Sequence, residues 1–417
     1  MYALCDQRSF YASCEAVFRP ELRNQSIAVL SNNDGCVVAL NEKAKAVGVQ
    51  KFEPYFKQRA LMQDMRVNVF SSNYALYGAI SDRIMQSLRD YTPALEQYSC
   101  DEGFADFSEI TKAELKPLSV KLRQVVWREQ RIPMGVSVGP TKTLAKLGQY
   151  ATKKLPQVEG VVVLTHSHQW QWLAKRVPVN EVWGVGRRLT VALHQLGIGT
   201  AFQLSELNLD IGRKLGGVTL VRTIKELNGE SCIPLELAPP SKQQIICSRS
   251  FGEKLKCLSQ VEEAVSSFAV RAAEKLRGQE SLAGRLSVWV LAKDAYGDRL
   301  SDKNSVNLPG GSDDSRRLAR EAVSIARSLY KPNKLYLKAG VALMDIRPRE
   351  YWQPDLLGGE DSSSPALMSA IDLINKKFGR QTVGLGRQAG KQQFAMKQQM
   401  LSPRYLTHWQ DIPKLSC

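Results

Sequence analysis

The chain opens on Met1-Tyr2-Ala3-Leu4-Cys5, an unbroken apolar run closed by Asp6, which predicts a strand buried from its first residue. A short helix is predicted over 12–18, ended near Pro20, then a second strand over 26–31 and a polar loop, Asn32-Asn33-Asp34-Gly35. Apolar residues at helical spacing predict helices over 77–91 and 118–128, followed by a strand at 134–138. Between those helices, two short apolar runs at 95–99 and 104–107 flank adjacent carboxylates. They predict a β-hairpin with Asp101 and Glu102 at its tip. Strands interleaved with helices to about residue 163 signal an α/β or α+β unit.

The pattern then changes. Residues 170–236 read as helix-rich, and the Pro-containing stretch 237–241 reads as a linker. Beyond it, strands at 245–251, 285–291 and 336–343 alternate with helices at 259–277 and 314–330, which suggests a compact α+β domain. After Arg349 the composition shifts to Gly, Ser, Asp and Pro, predicting a flexible tail with short binding elements. A chain of 417 residues is expected to divide into two to four domains.

Composition narrows the function classes. Asp6 and Arg8 interrupt the N-terminus too early for a signal core, and no stretch has the apolar length of a membrane span, so a cytoplasmic protein is expected. The eight cysteines are scattered without paired metal-ligand spacing and read as small, mostly buried thiols rather than a disulfide or zinc framework. A net charge of +16 suits a polyanionic partner, nucleic acid before membrane surface, since no strongly amphipathic basic helix stands out.

Two adjacent anions at a hairpin tip repel unless a cation lies between them, and hard divalent ions such as Mg²⁺ favour carboxylate oxygens. Asp6 is the candidate third carboxylate. The turn after it would aim the main-chain N–H groups of Ser9, Phe10 and Tyr11 at an anion, with Tyr11 beneath the sugar of a nucleotide triphosphate. The competing reading is an Asp helix cap with Phe10 and Tyr11 in the core. Lys45, Lys142, Lys146 and Lys153 sit on helix starts and faces that could line a triphosphate or a DNA backbone, or could simply be solvated. Val182-Trp183-Gly184-Val185-Gly186-Arg187 resembles a helix-hairpin-helix turn, in which Gly184 and Gly186 let main-chain N–H groups approach a phosphate. No Walker-type loop, Ser-His-Asp set or histidine cluster is present in the sequence.

Taken together, these residues resemble the Y-family of translesion DNA polymerases, and within it the UmuC-type branch. The segments that carry the resemblance run in family order: Ala3-Leu4-Cys5-Asp6, Phe10-Tyr11-Ala12-Ser13-Cys14-Glu15, Ser31-Asn32-Asn33-Asp34-Gly35-Cys36, Phe70-Ser71-Ser72-Asn73-Tyr74, Tyr98-Ser99 with Asp101-Glu102, Thr141-Lys142-Thr143-Leu144-Ala145-Lys146, Cys247-Ser248-Arg249-Ser250-Phe251 and Met400-Leu401-Ser402-Pro403-Arg404-Tyr405. The resemblance implies an α+β multidomain, right-hand architecture: palm and fingers over 1–165, a helix-hairpin-helix thumb over 166–240, an α+β little finger over 241–350, and a tail over 351–417.

It further implies error-prone translesion synthesis in the SOS response to DNA damage. Two Mg²⁺ ions would be held by Asp6, Asp101, Glu102 and the main-chain carbonyl of Gln7. Ser9, Phe10, Tyr11, Lys45 and Lys153 would bind the nucleotide, with Tyr11 as the steric gate against a ribose 2′-hydroxyl. Lys142, Lys146, Gly184, Gly186, Arg187 and Arg249 would contact DNA. Gln353, Leu356 and Leu357 match a peptide that docks on the sliding clamp. Damaged primer–template DNA, dNTPs, a processed UmuD-like dimer, RecA and the clamp are the implied partners, with no membrane. Leu40 stands where relatives often carry Arg, and Cys100 and Gly103 flank the acidic pair where larger or different apolar residues are common. Two rivals stay open: a nucleotidyl cyclase with a palm-like site, and a catalytically silent DNA-binding scaffold.

Overall fold

The structure, a computed structural model, describes residues 1–294, 296–351, 364–379, 381–384 and 396–413. The chain forms two compact units, one of Met1–Pro239 together with the segment from Gln398 onward, the other of Pro240–Lys397.

The first unit begins with β1 (Tyr2–Gln7) and α1 (Phe10–Val17), then β2 (Ile27–Leu30), β3 (Val37–Leu40), α2 (Glu42–Ala46), α3 (Tyr55–Asp64) and β4 (Asn68–Ser71). It continues through α4 (Tyr74–Arg89), β5 (Leu95–Gln97), β6 (Glu102–Asp106), α5 (Leu115–Gln130), β7 (Met134–Gly139), α6 (Lys142–Lys154) and β8 (Val161–Val163). Five strands form one sheet in the order β5-β6-β1-β7-β8, and β3-β2-β4 form a separate three-stranded sheet. β1 lies at the centre, antiparallel to both β6 and β7. Alternation along β1 sends Ala3 and Cys5 into a core with Tyr77, Ile84 and Met85 of α4 and Leu122 and Val126 of α5. Leu4 points the other way, to Phe104 and Ala145 of α6. Helices cover both faces, which is why the run reads as continuously apolar.

Four helices complete this unit: α7 (Ser167–Ala174), α8 (Arg187–Gln195), α9 (Ala201–Ser205) and α10 (Leu209–Leu227). They share a core with Leu144, Leu147 and Ala151 of α6. Glu226, fully buried near the end of α10, accepts from the Thr143 amide at 2.9 Å and its hydroxyl at 2.7 Å, and from the amides of Cys232 and Ile233.

The second unit holds β9 (Ile245–Leu255), α11 (Leu258–Arg277), β10 (Ser281–Lys293), β11 (Arg299–Ser312), α12 (Ser315–Leu329), β12 (Leu335–Pro348) and α13 (Ser364–Phe378). The strands run β11-β10-β12-β9, all pairs antiparallel, with α11 and α12 packed on the sheet through one apolar core. β11 escapes the sequence pattern because it is an edge strand, apolar only at Leu300, Val306 and Leu308 and carrying Pro309. The helix α13 stands in the stretch expected to be a flexible tail with short binding elements; Arg277 fastens it through a bidentate pair with Asp372 at 2.6 and 2.7 Å. The clamp-docking candidates Gln353, Leu356 and Leu357 lie outside the described residues. Among the described residues no helix is long and apolar enough to cross a membrane.

Candidate active site

Asp6 is the penultimate residue of the buried strand and Glu102 opens its neighbour, and the two are direct register partners across β1 and β6. Directly opposed residues project to the same face, and that face is the one α6 covers. Lys153 reaches Asp6 Oδ2 at 2.6 Å, and Lys146 reaches Glu102 Oε2 at 2.7 Å. Asp101 is joined to the same strand end through its carbonyl, which accepts from the Gln7 amide at 2.9 Å. Its carboxylate accepts from Ser99 Oγ at 2.7 Å. The hairpin tip therefore spans Tyr98 to Asp101, and Glu102 is already in the strand. Gly103, which flanks the acidic pair, is a strand residue paired with Cys5 and Gln97.

Burial is the largest influence on Asp6, whose carboxyl is pushed up to about 6; Lys153 opposes this, while Glu102 and Asp101 reinforce it. A carboxylate only 4% exposed with two acidic neighbours calls for positive charge, and the lysines supply it. The same oxygens suit a hard divalent cation. Among the described residues no three His, Cys, Asp or Glu side chains converge as a ready-made metal group, since each carboxylate is turned to its own partner. Gln7 sends its side chain to the opposite face, onto Met134 Sδ at 3.6 Å, so only its main chain belongs with the acidic cluster.

The helix α1 starts at Phe10, after a short turn through Arg8 and Ser9 that follows β1. Ser9 precedes it at φ 49°, and no side chain caps the first turn, so the leading N–H groups have no intrahelical or capping acceptor. The Phe10 ring is in the core. The Tyr11 ring stacks on Tyr77 with centroids 4.5 Å apart and planes 16° from parallel, and its hydroxyl lies 3.6 Å from Cys100 Sγ. Burial pushes the Tyr11 phenol above its ordinary range.

Lys45 is exposed on α2 and paired with Glu42 at 2.7 Å. Sequence reasoning passed over Lys51. Its ammonium is held below the usual lysine range by desolvation, and among the charges acting on it are Asp101, Lys45 and Lys153. The signal was present as one more basic residue near a turn, but only the fold brings it to this group of charges.

Of the lysines at the start of α6, Lys142 is corrected. It is 2% exposed, pairs with buried Glu96, donates to the Pro234 carbonyl at 2.8 Å and lies over the Phe104 ring at 5.0 Å. A fully buried ammonium cannot grip a DNA backbone; the Thr141-Lys142-Thr143 motif fastens α6 to α10 and to the 234–236 segment. Lys146 is also drawn inward, into a group of rings from Tyr98, Phe104 and Trp183, with the Tyr98 centroid at 4.5 Å. Trp183 Nε1 donates to Tyr98 Oη at 3.1 Å, which ties the glycine turn to the hairpin. In that turn Gly184 adopts φ 89°, a conformation side chains disfavour, while Gly186 precedes α8 and Arg187 opens it on an exposed face. Arg249 lies on β9 in the other unit, where desolvation lowers its guanidinium from its usual range.

Family models described as "impB/mucB/samB family" and its C-terminal domain match residues 5–149 and 242–356, and a "Domain of unknown function (DUF4113)" matches 365–415. The chain is 42% identical over 422 residues to Protein UmuC of Salmonella typhimurium, covering 99% of both chains. It is 26% identical to DNA polymerase IV 1 of Bacillus subtilis, over 94% of both. A solved Y-family DNA polymerase chimera, Dbh-Dpo4(243-245)-Dbh, superposes with a TM-score of 0.66 at 21% identity, over 83% of this chain and 99% of that one.

Proposed function

Because the chain belongs to the impB/mucB/samB family, we propose that it is a translesion DNA polymerase that extends a primer 3′ end past damaged template bases during the SOS response. The single observation that carries the reading is the register pairing of Asp6 with Glu102, with the Asp101 carbonyl hydrogen-bonded to the amide of Gln7 at the end of the same strand. Palm and fingers fall in 1–165, the thumb in 166–240, the little finger in 241–350 and a partner-binding tail in 351–417.

Asp6, Asp101, Glu102 and the Gln7 carbonyl would hold divalent cations, two Mg²⁺ ions in this reading. Bound there, such ions supply the charge that acidifies a primer 3′-hydroxyl and offsets charge on a departing pyrophosphate. The protein's own groups do the rest by placement. The uncapped first turn of α1 offers the amides of Ser9, Phe10 and Tyr11 to the triphosphate. Lys153, half-exposed where it meets Asp6, and Lys45 and Lys51 add positive charge on the approach to the triphosphate. The Tyr11 ring, backed by Tyr77, is the surface a sugar meets, and a 2′-hydroxyl there loses space.

Gly184, Gly186 and Arg187 would contact DNA phosphates without reading sequence, and Arg249 would do so from the little finger. Lys146 would join them only by leaving Glu102. A processed UmuD-like dimer, RecA and, through 353–357, the sliding clamp are the proposed partners in a cytoplasmic complex. Tethering to a clamp raises effective concentration without adding contacts at the site.

The test is primer extension across an abasic site with those partners supplied, comparing the parent with Asp101→Asn. Extension by the parent and none by the variant is expected. Failure of the parent to extend any primer would overturn the polymerase reading, and equal extension by both would overturn the role of Asp101.

A further inference from the structure

The Met400–Tyr405 motif, which the polymerase reading leaves without a role, threads into the first unit beside the Tyr11–Tyr77 stack. It falls within the stretch matched by a domain of unknown function. Leu401 forms a parallel bridge with Ser71 at the end of β4, and the Ser71 amide donates to the Met400 carbonyl at 2.9 Å. Gln398 Nε2 donates to the Ser72 carbonyl at 2.8 Å, and the Tyr405 ring stacks on Phe18 at 4.7 Å. Asn73 caps α4 with its Oδ1 and spends its Nδ2 on the strap, donating to Ser402 O and Oγ at 3.0 Å and to the Pro403 carbonyl at 3.2 Å.

The Ser402 hydroxyl has one proton. Since Asn73 donates to its oxygen, that proton is directed to Glu15 Oε1, 3.1 Å away. Tyr77 Oη donates to the same carboxylate oxygen at 2.5 Å. Glu15 and Tyr77 are each 1% exposed, Asn73 2% and Ser402 6%, so water does not replace a lost partner. Tyr77 then carries the Tyr11 ring, stacked at 4.5 Å. Residues nearly four hundred positions apart are thereby joined in one buried relay.

We infer that Ser402 is a positioning residue for Tyr11: the C-terminal strap, acting through Glu15 and Tyr77, sets how strictly the site excludes ribonucleotides. The inference rests on the reading of Tyr11 as the ring that meets the sugar. Loss of the Ser402 hydroxyl leaves Glu15 one donor short and its carboxylate free to swing, and the tyrosine pair follows it.

Insertion of a ribonucleotide and of its deoxy counterpart by the full chain with its partners gives the ratio of the two kcat/KM values. Ser402→Ala is expected to raise the ribo-to-deoxy ratio about fivefold, the size of one net hydrogen bond. Ser402→Thr, which keeps the hydroxyl, restores the parent ratio, and Gln398→Ala, which loosens the strap away from the relay, leaves it unmoved. Tyr77→Phe removes the other donor while keeping the ring and is expected to raise the ratio as Ser402→Ala does, even where the serine variant folds poorly. Tyr11→Ala separates the two ideas. No change in its ratio refutes the sugar-facing role of Tyr11, whereas a rise there with none in Ser402→Ala or Tyr77→Phe refutes the strap. A readout independent of turnover is the ¹⁹F spectrum of protein carrying 3-fluorotyrosine, with the Tyr11 signal assigned by its loss in Tyr11→Phe. A shifted Tyr11 signal in Ser402→Ala, restored in Ser402→Thr, supports the inference, and an unshifted one overturns it.

Discussion

Asp6 and Glu102 face each other across β1 and β6, and each is neutralised by a lysine of the same helix, Lys153 and Lys146, set seven residues apart. Seven residues are about two helical turns, so both ammonium groups descend from one face of α6 onto one face of the sheet. The acidic pair and its counter-charges are thus built by a single helix–sheet packing.

Removing the strand-end carboxylate tests that centre directly. Asp6→Asn is expected to reduce the primer-extension rate by about three orders of magnitude, equivalent to ~4 kcal/mol of transition-state stabilisation. Single-turnover extension measures it, with circular dichroism showing that the fold persists.

The Lys153 contact lowers the Asp6 pKa against the effect of burial. Lys153→Ala is therefore expected to move the Asp6 carboxyl above its value of about 6, because the cation favouring the charged form is gone. An NMR titration of the metal-free protein, following the Asp6 side-chain carbon, reads the shift; a fall would show that Lys153 is not the controlling charge.

Lys142→Ala separates a structural lysine from a phosphate contact. It leaves Glu96 buried without its cation and is expected to cost about 3 kcal/mol of stability. Denaturant unfolding measures that loss. At a temperature where the variant is folded, DNA affinity and its salt slope are expected to match the parent, whereas loss of a true phosphate contact lowers the slope by about one.

Burial raises the Glu15 carboxyl above its ordinary range, with Tyr77 and Ser402 opposing the shift. The folded state therefore holds a proton that the unfolded chain releases near its ordinary carboxyl pKa, and stability contributed here falls as pH rises from that value through the folded one. Glu15→Gln cannot ionise. Its melting temperature relative to the parent is expected to be higher at pH 8 than at pH 5, by differential scanning calorimetry; a difference independent of pH would show that Glu15 does not titrate differently in the two states.

The sequence carried the strand that bears Asp6, the hairpin beside it and the glycine turn, because each is written in local pattern: an apolar run, two runs about a polar tip, paired glycines before a helix. It also carried the family, through motifs spread from Asp6 to Tyr405. It did not separate Lys142 from Lys146 and Lys153. All three lie on one helix with the same chemistry, and only packing against Glu96 and Pro234 buries the first. β11 was hidden by its polar edge composition, and the role of Ser402 by distance along the chain.

By itself, then, the sequence determined which residues could bear charge, turn the chain or fill a core, since those are properties of side chains and their immediate neighbours. The tertiary structure alone decided which lysine met which carboxylate and which serine met Glu15. Burial and hydrogen-bond partnership are set by contacts between segments far apart in sequence, and no local periodicity encodes them.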